Sequence, residues 1–119
     1  MTNIVRIVTN GRRGRAAIYN GTVFIGGTVA EDRTQDIRGQ MMQIVAKIDE
    51  VLAQAGTEKS RLLTVQIWMK NIIEDFNGMN EVWDSWIDPD EAPARATAQC
   101  EMGASDILVE VVVTAASSQ

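Results

Sequence analysis

Histidine is absent from this chain, which removes His-dependent catalytic triads, HExxH zinc sites and imidazole general bases. Cysteine occurs once, at Cys100. No internal disulfide can therefore form, which fits a reducing compartment, and a thiol without an imidazole partner is a poor nucleophile. Long apolar runs are missing as well. No stretch approaches the roughly 18 residues needed to cross a bilayer, and the N-terminus MTNIVRIVTNGRRGR is charged where a signal peptide would be apolar. A soluble, unprocessed, cytoplasmic protein with no membrane partner is expected. Basic charge is in deficit, with 11 Lys and Arg against 16 Asp and Glu and a net charge of −5. A surface of that sign disfavours nucleic acid as a partner. Any chemistry is left to carboxylates, arginines, hydroxyls and backbone groups.

What is present suits one globular domain over residues 1–119. The length of 119 residues and a hydrophobic content of 45% suffice for a single core. No repeat, low-complexity tract or linker interrupts it, and only Ala115 to Gln119 are expected to fray. Residues 3–8 and 15–19 read as short strands. Thr22 to Gly27, TVFIGG, reads as a third, after a tight turn at Asn20 and Gly21. From about Thr34 to Ala55, Ile37, Met41, Ile44, Ile48, Leu52 and Ala55 lay one apolar stripe along a helix that Gly56 stops. Leu62 to Lys70 alternates as a strand, with Leu63, Val65, Ile67 and Met69 inward. A second helix carries Phe76, Met79, Trp83 and Trp86 and ends at Asp88-Pro89-Asp90. Strands at about Ala94–Glu101 and Asp106–Thr114 follow, joined by a short turn containing Gly103.

The order βββαβαββ, with one apolar stripe per helix, predicts an α+β fold in which two helices pack on one face of a single mixed sheet. Ile107, Val109, Val111 and Val113 should face the helices, together with Ala96, Ala98 and Cys100, the last as a small buried thiol. The opposite face should present Leu62, Gln66, Trp68, Arg95, Thr97, Leu108, Glu110 and Val112. That mixture is too apolar to leave in water, so a second subunit is expected to cover it.

If the last two strands form a hairpin, Thr97 and Glu110 lie opposite one another, with Arg95 one diagonal step away on the same face. An arginine fork takes a carboxylate, and a partly buried glutamate can hold or deliver a proton. The residues alone leave open the commoner arrangement, a plain cross-strand salt bridge. Arg12, Arg13 and Arg15, close to Arg6, are open between solvated loop charge and anion binding, and Asn80 between a surface position and a functional one. Trp83 and Trp86 are spaced as packing residues.

The segments DFNGMNEVWDSW, APARATAQC and DILVEVVVTAA, with the upstream VFIGGT and LAQAG, resemble in order and spacing the Rid (reactive intermediate deaminase, YjgF-like) family, and look most like its YoaB-like branch. The resemblance spans nearly the whole chain. It implies a chorismate-mutase-like fold, a homotrimeric barrel with clefts between subunits, and hydrolysis of enamine or imine intermediates to 2-keto acids and ammonia without metal or organic cofactor. It also implies roles: Arg95 binds the substrate carboxylate, Glu110 orders the attacking water, and Asn80, the Thr97 backbone and the strand-end Gly27 line the cleft. Alternatives are a carboxylate-binding module without turnover and, ranked last, an endoribonuclease or translation inhibitor. Two positions depart from the pattern. Arg13 stands near the usual cleft tyrosine and Gly26 at the usual serine, changes that admit a larger or more anionic ligand.

Overall fold

A computed structural model describes residues 3–118 of the chain. Six strands and two long helices follow in the expected order: β1 (Val5–Thr9), β2 (Gly14–Tyr19), β3 (Thr22–Thr28), α1 (Ile37–Gln54), β4 (Leu62–Met69), α2 (Ile72–Trp86), β5 (Ala94–Gln99) and β6 (Val109–Ala116). Short 3-10 turns at Lys59–Arg61 and Pro89–Glu91 precede β4 and β5.

The strands form one mixed sheet in the order β1-β2-β3-β6-β4-β5. Short turns join β1, β2 and β3 as an antiparallel meander. Asn20 and Gly21 make the second turn, both with positive φ, the conformation that asparagine and glycine tolerate best. The final strand β6 inserts between β3 and β4, antiparallel to both. β4 and β5 run parallel, with α2 as the crossover that parallel neighbours require.

Local chemistry sets the helix limits. Asp36 caps α1 by accepting the Gly39 N–H at 2.9 Å, so the helix begins at Ile37 and not near Thr34. At its far end Gly56 adopts φ +78° and the Thr57 N–H returns to the Leu52 carbonyl. Both helices turn their buried stripes onto one sheet face, where Met41, Ile44, Ile48, Leu52, Met79 and Trp83 meet Val23, Ile25, Val65, Ile67, Met69 and the odd-numbered residues 109–115 of β6.

Gln40 ties this core to the loop before β6. Its amide nitrogen reaches the carbonyls of Arg33, Gln35 and Asp106, and its oxygen accepts the Leu108 N–H at 3.0 Å. Every polar atom of this fully buried side chain is thereby satisfied.

Several expectations are corrected. A register shift between Leu62 and Thr64 puts Leu62 in the core and leaves Leu63 exposed. Ala96 and Ala98 lie on the face away from the helices, and Cys100, past the end of β5, is exposed. Leu108 packs partly buried against the core, whereas Phe76 stays 37% exposed and outside the core cluster. Ala115 to Ser117 do not fray: Ala115 is fully buried, the Ser117 N–H bonds the Gly21 carbonyl, and the Arg61 guanidinium donates twice to the Ser117 carbonyl. Gln119 lies outside the described residues.

Replacing Gln40 by leucine keeps its volume but strips the Leu108 N–H of its acceptor. Chemical denaturation should show a loss of about 1–3 kcal/mol; an unaltered midpoint would mean that the Gln40 bonds do not anchor the loop.

Candidate functional site

Arg95 leaves β5 on the helix side. Its register partner across the parallel ladder is Val65, a core residue, and Thr97 is likewise paired with Ile67. Parallel partners point to the same sheet face. The Arg95 guanidinium carbon sits 5.2 Å from the ring centroid of Trp83 on α2, a cation–π contact. Partial burial pushes the Arg95 pKa down, opposed by the nearby Asp84 charge, without threatening its positive charge. Among the described residues no carboxylate lies within ion-pair distance of it. Trp83 therefore packs and also serves as a platform. Asn80 lies half-buried on the same helix, one turn before Trp83.

Glu110 points the other way. It alternates with the core residues Val109 and Val111 and is paired with Trp68 on the outer sheet face. The sheet between Ile25 and Thr28 is irregular, and Glu110 fills the space this opens: a Cβ built on Gly27 would collide with its Oε2. Arg13, in the turn before β2, donates from Nη1 to the Gly27 carbonyl at 3.1 Å. Gly27 is thus flanked by a carboxylate and a guanidinium. A cavity of about 500 Å³ opens beside Glu110, walled by Trp68, Ala98, Cys100, Met102 and Gly103. A larger depression of about 750 Å³, over the loop 100–105, contains none of the six candidate residues.

The expected hairpin is therefore absent. β4 lies between β5 and β6, so Thr97 is not opposite Glu110, and Arg95 and Glu110 occupy opposite faces of the sheet. The candidates fall into two groups: Arg95 and Thr97 on the helix side of the edge strand, with Asn80 on the helix that carries Trp83, and Glu110, Gly27 and Arg13 on the outer face. Among the described residues Arg95 and Glu110 form no cross-strand salt bridge and share no cleft within one chain.

Residues 4–117 match the family model for Endoribonuclease L-PSP. A RutC family protein from Haemophilus ducreyi is 37% identical over 113 residues, spanning 95% of this chain and 96% of the relative. YoaB, a RutC family protein of Escherichia coli, is 34% identical over 95% of this chain and 97% of its own length. The chain belongs to the Rid (YjgF-like) family. Among solved structures, a YjgF-family protein from Neisseria meningitidis superposes with a TM-score of 0.94 at 30% identity, covering 98% of this chain and 97% of that one. A Pseudomonas aeruginosa protein gives 0.94 at 37% identity, covering 98% and 100%. The Rid fold of this chain, two helices on one face of a six-stranded mixed sheet, is thus shared across its length. No helix among the described residues is long and apolar enough to cross a membrane.

Gly27 does not need positive φ, and the three atoms nearest an added Cβ all belong to Glu110. Gly27→Ala should push the half-exposed Glu110 carboxylate aside and cost this Rid protein about 1 kcal/mol or less, and that loss should vanish in a Glu110→Ala background. An equal penalty in both backgrounds would mean that Glu110 does not occupy the space over Gly27.

Proposed function

We propose that the protein hydrolyses small 2-imino acids to 2-keto acids and ammonia in a cleft completed by a second copy of the chain. The observation that carries this reading is Arg95: a guanidinium held over Trp83, partly removed from water and without a carboxylate partner among the described residues. Such a fork is set to bind an external carboxylate. β5 is an edge strand, bonded only to β4, so half of its backbone N–H and C=O groups are free beside Arg95 to orient a substrate or water.

The second half comes from a neighbour. The outer face exposes Phe24 at 50% and Trp68 at 37% beside Val112 and Glu110, the kind of patch that monomers bury by association. When one copy sets its β5 edge against that face of another, Arg95 and Glu110 line the same crevice from different chains. The homotrimer expected of the family supplies this juxtaposition three times.

Arg95 fixes the substrate carboxylate and so orients the adjacent C=N carbon. Water adds its oxygen to that carbon while Glu110 takes up a proton. Glu110 passes that proton to the imine nitrogen to give a carbinolamine, then takes the hydroxyl proton and delivers it to the same nitrogen as the C=O forms, the C–N bond breaks and ammonia leaves. No oxidant and no net proton are consumed. Thr97, through its backbone, and Asn80 position the substrate on the Arg95 side; Gly27 gives Glu110 room and Arg13 borders it.

A non-catalytic keto-acid-binding module is the second reading, favoured by the distance of Glu110 from Arg95 within one chain. The family's endoribonuclease name suggests a third, which the acidic, histidine-free composition opposes.

Ammonia release from freshly generated 2-iminopropanoate should fall by about a hundredfold or more in Arg95→Ala, which loses the carboxylate fork, and in Glu110→Gln, on the scale of lost general acid–base catalysis. Keto-acid binding without turnover in the wild type would favour the binding module, and RNA cleavage persisting in Arg95→Ala would place any nuclease activity elsewhere or in a contaminant.

A further inference from the structure

Arg13 uses only one of its side-chain donors within the described residues. The turn before β2 is braced by Asn10, whose Oδ1 accepts the N–H groups of Arg12 and Arg13, both at 2.9 Å, while its own N–H bonds the Arg13 carbonyl at 3.0 Å. This local network fixes the backbone from which Arg13 projects. The side chain then crosses to β3 and spends one Nη1 donor on the Gly27 carbonyl. Gly26 gives it space: a Cβ there would already lie 3.5 Å from Arg13 Nη1, so a longer side chain would crowd the guanidinium.

The remaining donors of that guanidinium are uncommitted. Among the described residues Arg13 has no carboxylate within ion-pair distance, and Glu110, which touches the other side of Gly27, has no cation. An exposed arginine fixed beside the water-activating carboxylate, yet unpaired with it, presents a second anion site in the same crevice. Arg33 offers no competing site, because it is paired with Asp106.

Resting on the hydrolase reading above, we propose that the preferred substrates are dianionic 2-imino acids, with Arg95 of one copy taking the 2-carboxylate and Arg13 of the other taking a distal carboxylate. Two fixed forks separated by the reacting carbon select substrate length as well as charge, because a monocarboxylate leaves the Arg13 donors without an acceptor.

The test compares full-length wild type, Arg13→Gln and Arg13→Lys on imines released by an amino-acid oxidase from aspartate, glutamate and alanine. Wild type should favour one of the dicarboxylic imines by tenfold or more in kcat/KM; Arg13→Gln should lower that ratio at least tenfold, and Arg13→Lys should retain part of it. A wild type that prefers the alanine-derived imine, or an Arg13→Gln protein that loses activity equally on all three, overturns the proposal. Calorimetric binding of 2-oxoglutarate against 2-oxobutanoate separates it from the hydrolase reading. If no imine turns over, yet 2-oxoglutarate binds tenfold more tightly and Arg13→Gln abolishes the difference, the hydrolase reading fails and the dianion site stands. Equal binding of the two keto acids in that case rejects the site as well.

Discussion

The position of β4 between β5 and β6 governs how this molecule can act. Parallel pairing with β4 commits Arg95 and Thr97 to the helix side, while antiparallel pairing of the same strand with β6 commits Glu110 to the outer side. No side-chain rotation moves a group through a hydrogen-bonded sheet. The arginine proposed to bind the carboxylate and the glutamate proposed to activate water are therefore on opposite faces within one chain, and the proposed site needs another copy to supply the missing half. In this account assembly and catalysis are one requirement.

The two halves are built differently. Arg95 rests on Trp83, itself packed edge-on against Trp86 with centroids 5.6 Å apart, and Trp86 donates its ring N–H to Asp49 on α1. The guanidinium thus stands on a platform tied to both helices. A second strut joins the helices at the surface, where Arg38 on α1 donates to both oxygens of Glu81 on α2 at 2.6 and 3.0 Å and so holds the Glu81 pKa down. Glu110 instead sits at a local irregularity of the β3–β6 ladder, where the absence of side chains at Gly26 and Gly27 makes the room. Bulged ladders re-aim side chains, and here the result is a carboxylate lodged against backbone with an arginine on the same glycine. The edge half offers rigidity; the outer half offers space and charge.

Much of the fold was legible from periodicity. Stripes of three and four gave both helices, alternation gave β4 and β6, and the βββαβαββ order with amphipathic helices gave the layer arrangement. Which strand lies beside which was not legible, because alternation assigns faces within a strand and says nothing of its neighbours. β5 stops at Gln99 and β6 starts at Val109, and a connection over residues 100–108 is longer than hairpin loops usually are. Reading those strands too long concealed that signal. The alanines of β5 misled as well: small residues suggested contact with a helix, yet the helix side of this edge strand carries Arg95 and Thr97. Gln40 gave no sign in sequence, since a glutamine within an apolar stripe looks like a surface residue until its four partners are in place. Strand alternation, the basic cluster at residues 12–15 and the family resemblance single out the six candidate residues, and the strand order separates Arg95 from Glu110.

A mixed-subunit complementation experiment addresses the shared site most directly. Arg95→Ala and Glu110→Gln chains, each inactive alone, would be co-expressed with different tags and the mixed oligomers purified. A neighbouring pair in which one chain brings Arg95 and the other Glu110 recreates an intact crevice, so imine hydrolysis should return to a substantial fraction of the wild-type rate per mixed oligomer. Stable mixed oligomers that remain as inactive as the two parents would contradict a site divided between chains.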